Sequence, residues 1–140
     1  MSVLTKAIRT GLAQKLAASS SVTNLLSGSG AIYHAKAPAQ ASFPLVIFHQ
    51  QSNIRAIQAF GDRGGRNSLW LVKGVALGEN SDRADDIAAA LETLLDDTTL
   101  TIAGSTTLYR MNWEQDVQYA EDEDGEQIRH SGGLYRITYR

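Results

Sequence analysis

The stretch TLYRMNWEQDVQYAEDEDGEQIRHSGGLYRITYR (Thr107–Arg140) decides the fold, because its pattern is that of one long β-hairpin. Apolar and polar residues alternate over Thr107–Ala120, as in a half-covered strand, and the apolar side holds Trp113, Val117 and Tyr119. Asp124-Gly125 is a two-residue turn signal. The return strand begins at Glu126, and Gly132-Gly133 predicts a bulge within it. We therefore expect a sheet built around this hairpin.

Two more strands are predicted before the hairpin. Phe43-Pro44 precedes the apolar strand Leu45–Gln50, and proline is tolerated there because the first strand position needs no N–H donor. Ser68–Gly78 has two apolar sides, one with Leu69, Leu71, Val75 and Leu77 and the other with Trp70, Val72 and Ala76. The intervening segment Gln51–Asn67 contains three glycines and is predicted to be a mobile loop.

Helical spacing occurs twice. In Val3–Ala18 an apolar residue recurs every fourth position, and in Asp82–Asp97 a wider apolar stripe follows acidic residues in the first turn. The order helix, strand, strand, helix, hairpin predicts one α+β domain over residues 1–140. Its architecture is a largely antiparallel sheet of about four main strands with two amphipathic helices packed on one face. The other face keeps polar residues and is available to neighbouring subunits.

Charge is sorted along the chain. Residues 1–75 hold eight basic side chains and one acidic side chain, a balance of +7, whereas residues 76–140 hold five basic and fourteen acidic side chains, a balance of −9. The net charge of −2 conceals this split. If folding keeps the two halves apart, one copy attracts the next head to tail, and such contacts close into a ring when the rotation allows it.

Composition excludes several classes of protein. The chain has no cysteine, which excludes disulfides and thiolate metal sites. No apolar run approaches the roughly 20 residues of a membrane span. The first residues do not resemble a signal peptide, because charged and polar side chains interrupt them. We expect no membrane association, and a protein kept in the cytoplasm unless it leaves within a larger particle.

No group of side chains predicts catalysis, a metal site or a cofactor. The three histidines, His34, His49 and His130, have no metal-ligand spacing. Gly61–Arg66 could form a backbone nest for an anion, although a charged flexible loop explains the same residues. The acidic run Glu121–Asp124 lacks the spacing of a calcium loop. It is either a solvated hairpin tip or a contact surface for a basic partner.

Two stretches resemble a known family. AIYHAKAPAQASFPLVIFHQQS (Ala31–Ser52) combines an Ile-Tyr pair, an alanine-proline loop and Phe-Pro before an apolar strand. RHSGGLYRITYR (Arg129–Arg140) closes the chain with a double glycine and Leu-Tyr-Arg-Ile. Together with WLVKGVA (Trp70–Ala76) and the helix Ser81–Leu95, they resemble the tail-completion, or tail-terminator, proteins of long-tailed bacteriophages and prophages.

The resemblance implies a structural virion protein that is not an enzyme and has no cofactor. Members of this family form a ring, usually a hexamer, at the head-proximal end of the tail tube, where they stop tube growth and join the tail to the head. The implied partners are further copies of the chain, the tail tube protein and the head–tail connector or stopper protein. DNA passes through the lumen without sequence-specific binding. The implied location is the virion tail, after assembly in the host cytoplasm.

The contact surface is assigned from composition and not from the resemblance. The long loop and the hairpin tip are charged segments of the kind that order on contact with a partner. The residues assigned to the subunit or partner interface are Arg55, Phe60, Arg63, Arg66, Glu121, Asp122, Glu123 and Asp124. Because a basic lumen would retain phosphates, the acids are expected nearer the channel or an axial surface than the N-terminal lysines.

Two other functions remain open from the sequence. A small nucleic-acid-binding module could use the basic N-terminal half, with Lys6, Arg9 and Lys15 on the first helix and the arginines of the loop following a phosphate backbone. A small-molecule enzyme could use His49 or His130 with a nearby acid.

Overall fold

A computed structural model describes residues 3–55, 66–78, 82–102, 104 and 109–139. These residues form an α+β fold with three helices and six strands. The helices are α1 (Val3–Ala17), α2 (Ser20–Thr23) and α3 (Asp82–Leu95). The strands are β1 (Ile32–His34), β2 (Leu45–Arg55), β3 (Arg66–Leu77), β4 (Thr98–Leu100), β5 (Tyr109–Glu123) and β6 (Glu126–Tyr139).

The strands form a six-stranded sheet in the order β1-β2-β3-β6-β5-β4. The central strands β2, β3, β6 and β5 have 11, 12, 14 and 15 residues and pair antiparallel. The outer strands β1 and β4 have three residues each, and β1 runs parallel to β2. The predicted sheet of about four strands is therefore its centre. The count is corrected to six because two short segments extend its margins.

The two longer helices cover one face of the sheet, here called the helix face. The buried apolar side chains described in α1 and α3 belong to the predicted stripes, namely Ile8, Leu12, Leu16, Ala84, Ile87, Leu91 and Leu95, all 0% exposed. They pack with Trp70, Val72 and Tyr135 from β3 and β6. Helix α3 lies so close to β3 that a Cβ on Gly74 would be 2.6 Å from Ile87 Cγ2. The helix-face core therefore depends on a glycine in the strand beneath the helix.

The opposite face of the sheet, here called the second face, has a smaller apolar cluster. Leu45 and Val75 pack there with Ala31, and the segment between β1 and β2 adds Phe43. This face also carries Lys73 and His130, which are only 8% and 7% exposed. The two predicted sides of β3 are confirmed, since even-numbered residues face the helices and odd-numbered residues face away.

The β5–β6 hairpin is confirmed, but its irregularity is not where the double glycine predicted it. Gly132 and Gly133 keep regular register with β3 and β5, and the shift lies between Trp113 and Gln115 of β5. The glycines serve close approach instead, because a Cβ on Gly132 would overlap the Val72 carbonyl oxygen.

The bulge in β5 also corrects the predicted side of one aromatic residue. Trp113 pairs with Tyr135 on the helix face, whereas Val117 and Tyr119 pair with Gly132 and His130 on the second face. One extra residue exchanges the two sides of a strand, so the predicted common side of these three residues is wrong.

The predicted mobile loop Gln51–Asn67 is partly strand. β2 continues to Arg55 and β3 begins at Arg66, and these two residues are register partners. Polar side chains do not prevent this pairing, because the ladder bonds belong to the backbone. Residues 56–65, with Phe60, Arg63 and most of the predicted anion nest, lie outside the described residues.

Candidate interaction surfaces

The turn between β5 and β6 gathers acidic side chains at one end of the sheet. Asp124 and Gly125 have φ angles of 53° and 81°, the two positive values that a type I′ hairpin turn needs. The acidic tip is defined here as Glu121, Asp122, Glu123, Asp124 and Glu126, all exposed. Apart from Glu121, these carboxylates form no ion pair with the described part of the chain.

Basic residues of the C-terminal half pair away from the tip. Arg129 binds Asp85 of α3 with an Nη2 to Oδ2 distance of 3.1 Å, and Arg136 binds Glu114 with an Nη2 to Oε2 distance of 2.8 Å. Arg110 pairs with Asp97 beyond the end of α3. The acids of the tip other than Glu121 are therefore left without an ion-pair partner among the described residues.

The first predicted contact surface lies at the other end of the same sheet. Arg55 and Arg66 form the last described rung of the β2–β3 ladder, while the tip lies beyond Leu77, the last residue of β3. At about 3.3 Å per residue, the 12 residues of β3 separate these ends by about 36 Å. Arg55 and Arg66, the described residues of the first predicted segment, therefore lie at the opposite end of the sheet from the acidic tip.

An open groove of about 700 Å³ lies on the second face beside the acidic tip. Its floor is apolar and includes Leu45, Ile47, Val75, Leu77 and Ile128. Its two sides are the segment Lys36–Ala39 with Phe43, and the acids Glu121, Glu123, Asp124 and Glu126. No local sequence pattern predicted this groove. The apolar odd-numbered side of β3 and the alanine-proline segment both contribute to it, but they are far apart in the chain.

A polar cluster continues from the groove into the sheet. Lys73 of β3 donates from Nζ to the Tyr119 hydroxyl. The Tyr119 ring stacks on the His130 ring with centroids 4.3 Å apart and an interplanar angle of 11°. His130 Nε2 lies 2.6 Å from Glu121 Oε1, an ion-pair distance, but neither ring nitrogen has an aligned hydrogen-bond partner. The four residues join β3, β5 and β6 on the second face.

The environment of His130 favours the neutral imidazole. Burial lowers the pKa of His130 most, the Lys73 ammonium lowers it further, and Glu121 opposes both effects. The nearby acid that the enzyme hypothesis required is therefore present. However, His130 is only 7% exposed and Tyr119 stacks on its ring, so a substrate would have little access to the imidazole.

Other predicted chemistry is not assembled in the described part of the chain. His49 Nδ1 lies 3.4 Å from the carbonyl oxygen of the adjacent Gln50. Among the described residues there is no group of three His, Cys, Asp or Glu side chains that could hold a metal ion. Lys15, one of the three cations considered for phosphate binding on α1, donates to the Thr99 carbonyl at 3.0 Å. No helix among these residues is long and apolar enough to cross a membrane.

Two strand edges have no neighbour within the described part of the chain. β4 pairs with residues 109–111 of β5 only. Asp96 Oδ1 accepts from the Trp113 N–H at 2.8 Å, and the edge of residues 114–123 beyond it is open. On the opposite margin, β1 pairs with residues 46–48 of β2 only, which leaves residues 49–55 open. The open edge of β5 lies on one margin of the sheet, toward the acidic tip. The open edge of β2 lies on the other margin, toward Arg55. Unpaired edges offer backbone donors and acceptors to another chain.

An acidic tip, an amphipathic groove and two open edges are surface features through which an α+β protein can contact other proteins. The model of the family "Tail completion protein gp17" matches residues 10–139, and the chain belongs to this family of bacteriophage tail structural proteins.

Solved structures support the fold. A chain from the "Virion of native gene transfer agent (GTA) particle" superposes with a TM-score of 0.75 at 15% identity, covering 99% of each chain. A second solved structure has a TM-score of 0.60 at 15% identity, covering 98% of this chain and 93% of the other. No curated protein matches the sequence.

Proposed function

We propose that the protein caps the head-proximal end of a phage tail tube as a ring, most simply a hexamer. The ring ends tube growth and offers a surface to the head–tail connector, and DNA passes through its lumen without sequence-specific contacts. The family supports the assignment to the tail. The ring, its stoichiometry and its position at the tube end are our proposal.

The observation that carries the proposal is the pair of open strand edges at opposite margins of the sheet. A ring of identical copies needs two different surfaces on each copy, one that meets the preceding copy and one that meets the next. The oppositely charged ends of the sheet supply a second such pair. Electrostatic complementarity of this kind selects the orientation of the contact.

The test is a phage or prophage in which the gene is disrupted. We expect tails of excess and variable length that do not join filled heads, because nothing stops the tube or presents the joining surface. Purified protein added to isolated tubes should appear at one tube end by negative-stain electron microscopy, and native mass spectrometry gives the number of copies.

Two controls accompany this test. The wild-type gene supplied in trans should restore tail length, and so should a Gly28→Ala variant, because a Cβ there has no neighbour within 4 Å. Tails of normal length joined to filled heads in the absence of the protein would refute the proposed function.

A further inference from the structure

We propose that the groove beside the acidic tip receives residues 55–66 of a neighbouring copy, a segment here called the arm. The inference rests on the proposed ring and specifies the contact between its subunits. The groove of one copy is the site, and the arm of the next copy is its occupant.

The groove has the chemistry of a site for a basic and apolar segment. Its apolar floor is flanked by four carboxylates and a single ammonium group, that of Lys36. Glu123, Asp124 and Glu126 have no ion-pair partner in the described part of the chain. His130 also lines the groove, and its Nδ1 is buried without a hydrogen-bond partner among the described residues. A buried polar atom left unsatisfied is unfavourable, which favours an occupant with polar groups.

The arm has the complementary composition. Its sequence, RAIQAFGDRGGR, contains three arginines and one aspartate, together with Ile57 and Phe60 as large apolar side chains. Guanidinium groups bind carboxylates through paired hydrogen bonds. An aromatic side chain that fills an apolar pocket is a common anchor of protein interfaces.

The arm of the same chain cannot reach this groove. Arg66 and Val75 are nine residues apart on β3, which is about 30 Å at 3.3 Å per residue. Whatever their conformation, the ten residues between Arg55 and Arg66 are fixed at both ends. At up to about 3.6 Å per residue they reach at most about 20 Å from the end of the ladder, which is short of the acidic side of the groove. A second copy must therefore supply the arm, and the contact is head to tail.

A charge-swap experiment in the full-length chain tests the inference. The groove variant is Glu123→Arg with Glu126→Arg, and the arm variant is Arg55→Glu with Arg66→Glu. Glu123 and Glu126 are register partners, and so are Arg55 and Arg66. Each variant therefore replaces one pair of like charges by a pair of the opposite sign. The fold should be little affected, which circular dichroism can check. We expect each variant alone to lower ring formation on tubes at least 10-fold and the combined variant to restore it.

The matched control is Glu92→Arg, compared with Glu123→Arg alone. Both residues are exposed acids, but Glu92 lies on α3 and does not line the groove. We expect Glu123→Arg to impair ring formation and Glu92→Arg to leave it within about twofold of wild type. Equal effects of the two substitutions, or failure of the combined variant to restore assembly, would overturn the inference. That failure would assign the groove to a basic segment of the tube or connector protein.

Site-directed cross-linking separates this inference from the proposed function, because the chain has no native cysteine. Chains carrying Ala39→Cys in the groove wall are mixed with chains carrying Phe60→Cys in the arm. The expected product is a disulfide-linked dimer that salt suppresses, and Glu92→Cys on the outside of α3 should not replace Phe60→Cys. A ring that forms without this cross-link refutes the arm contact and leaves the proposed function intact. A cross-link without rings on tubes supports the contact and contradicts the ring.

Discussion

At the scale of the residue, the strictest constraints lie on β6, the central partner of β3 and β5. Gly132 occupies a position where a Cβ would overlap the Val72 carbonyl oxygen and the Lys73 Cα. His130, two residues earlier, holds a buried imidazole between Tyr119 and the groove. Both positions give predictions about stability that do not depend on the proposed ring.

The first prediction concerns Gly132→Ala. The added methyl group meets backbone atoms that cannot move without breaking the β3–β6 ladder, so we expect a loss of roughly 3 kcal/mol in the free energy of unfolding, the upper range for overpacking. Urea denaturation measures this loss. Gly28→Ala is the control and should change stability by less than about 0.5 kcal/mol, since its Cβ would meet nothing within 4 Å. Equal stability of the two variants would contradict the prediction.

The second prediction is a pH dependence of stability. Burial and Lys73 lower the pKa of His130 in the folded state, so the folded chain binds this proton more weakly than the unfolded chain. The stability that His130 contributes is therefore present above its unfolded pKa of about 6.5 and is lost as the pH falls through the lower, folded value.

Chemical denaturation at a series of pH values between about 8 and 5 tests this prediction. His130→Gln should flatten the decrease in stability below about pH 6.5, because it removes the titrating group. His49→Gln is the control, since it leaves the His130 environment unchanged, and it should keep the His130-linked decrease. If the His130→Gln variant shows the same pH dependence as the wild type, the assignment to His130 is wrong.

At the scale of the element, the β5–β6 hairpin combines a favourable turn with unfavourable charges. Asp124-Gly125 suits a type I′ turn, yet Glu123 and Glu126 are direct register partners. Charged side chains on an open edge also discourage unlimited pairing with other chains. Repulsion between these opposed acids lowers the stability of the hairpin, which is consistent with a role of the carboxylates in binding another chain.

The third prediction follows from this pair of acids. Glu126→Gln removes one of two like charges that face each other, so we expect a gain of about 0.2–1 kcal/mol in the free energy of unfolding at low ionic strength. Asp122→Asn on the same hairpin is the control, because its register partner is the neutral Gln127, and it should give no comparable gain. Thermal unfolding compares the two variants. A loss of stability in Glu126→Gln would show that the carboxylates do not repel in the folded hairpin.

At the scale of the whole molecule, the decisive feature is the arrangement of charge along one sheet. The arginine pair of the β2–β3 ladder and the acidic tip lie about 36 Å apart on strands that share their hydrogen bonds. The two ends cannot neutralise each other within one copy. The proposed arm contact depends on this separation, and the proposed ring, which rests on the open strand edges, is also supported by it.

Local patterns in the chain were sufficient to predict both long helices, the two sides of β3 and the β5–β6 hairpin. Each depends on neighbours a few residues apart: the four-residue spacing of α1, the alternation of β3 and the conformational preference of Asp124-Gly125. The likeness to the tail-completion family was also readable, and the family match over residues 10–139 confirms it.

Tertiary structure alone decided the positions at which distant segments meet. Alternation did not reveal the bulge near Trp113, because register is set by pairing with β6 across the hairpin. The groove brings Lys36 and Glu121 to facing walls, although they are far apart in the chain. The open edges exist because β1 and β4 stop after three residues. Local preference specifies helices and turns, whereas surfaces arise from long-range packing that no short window of sequence contains.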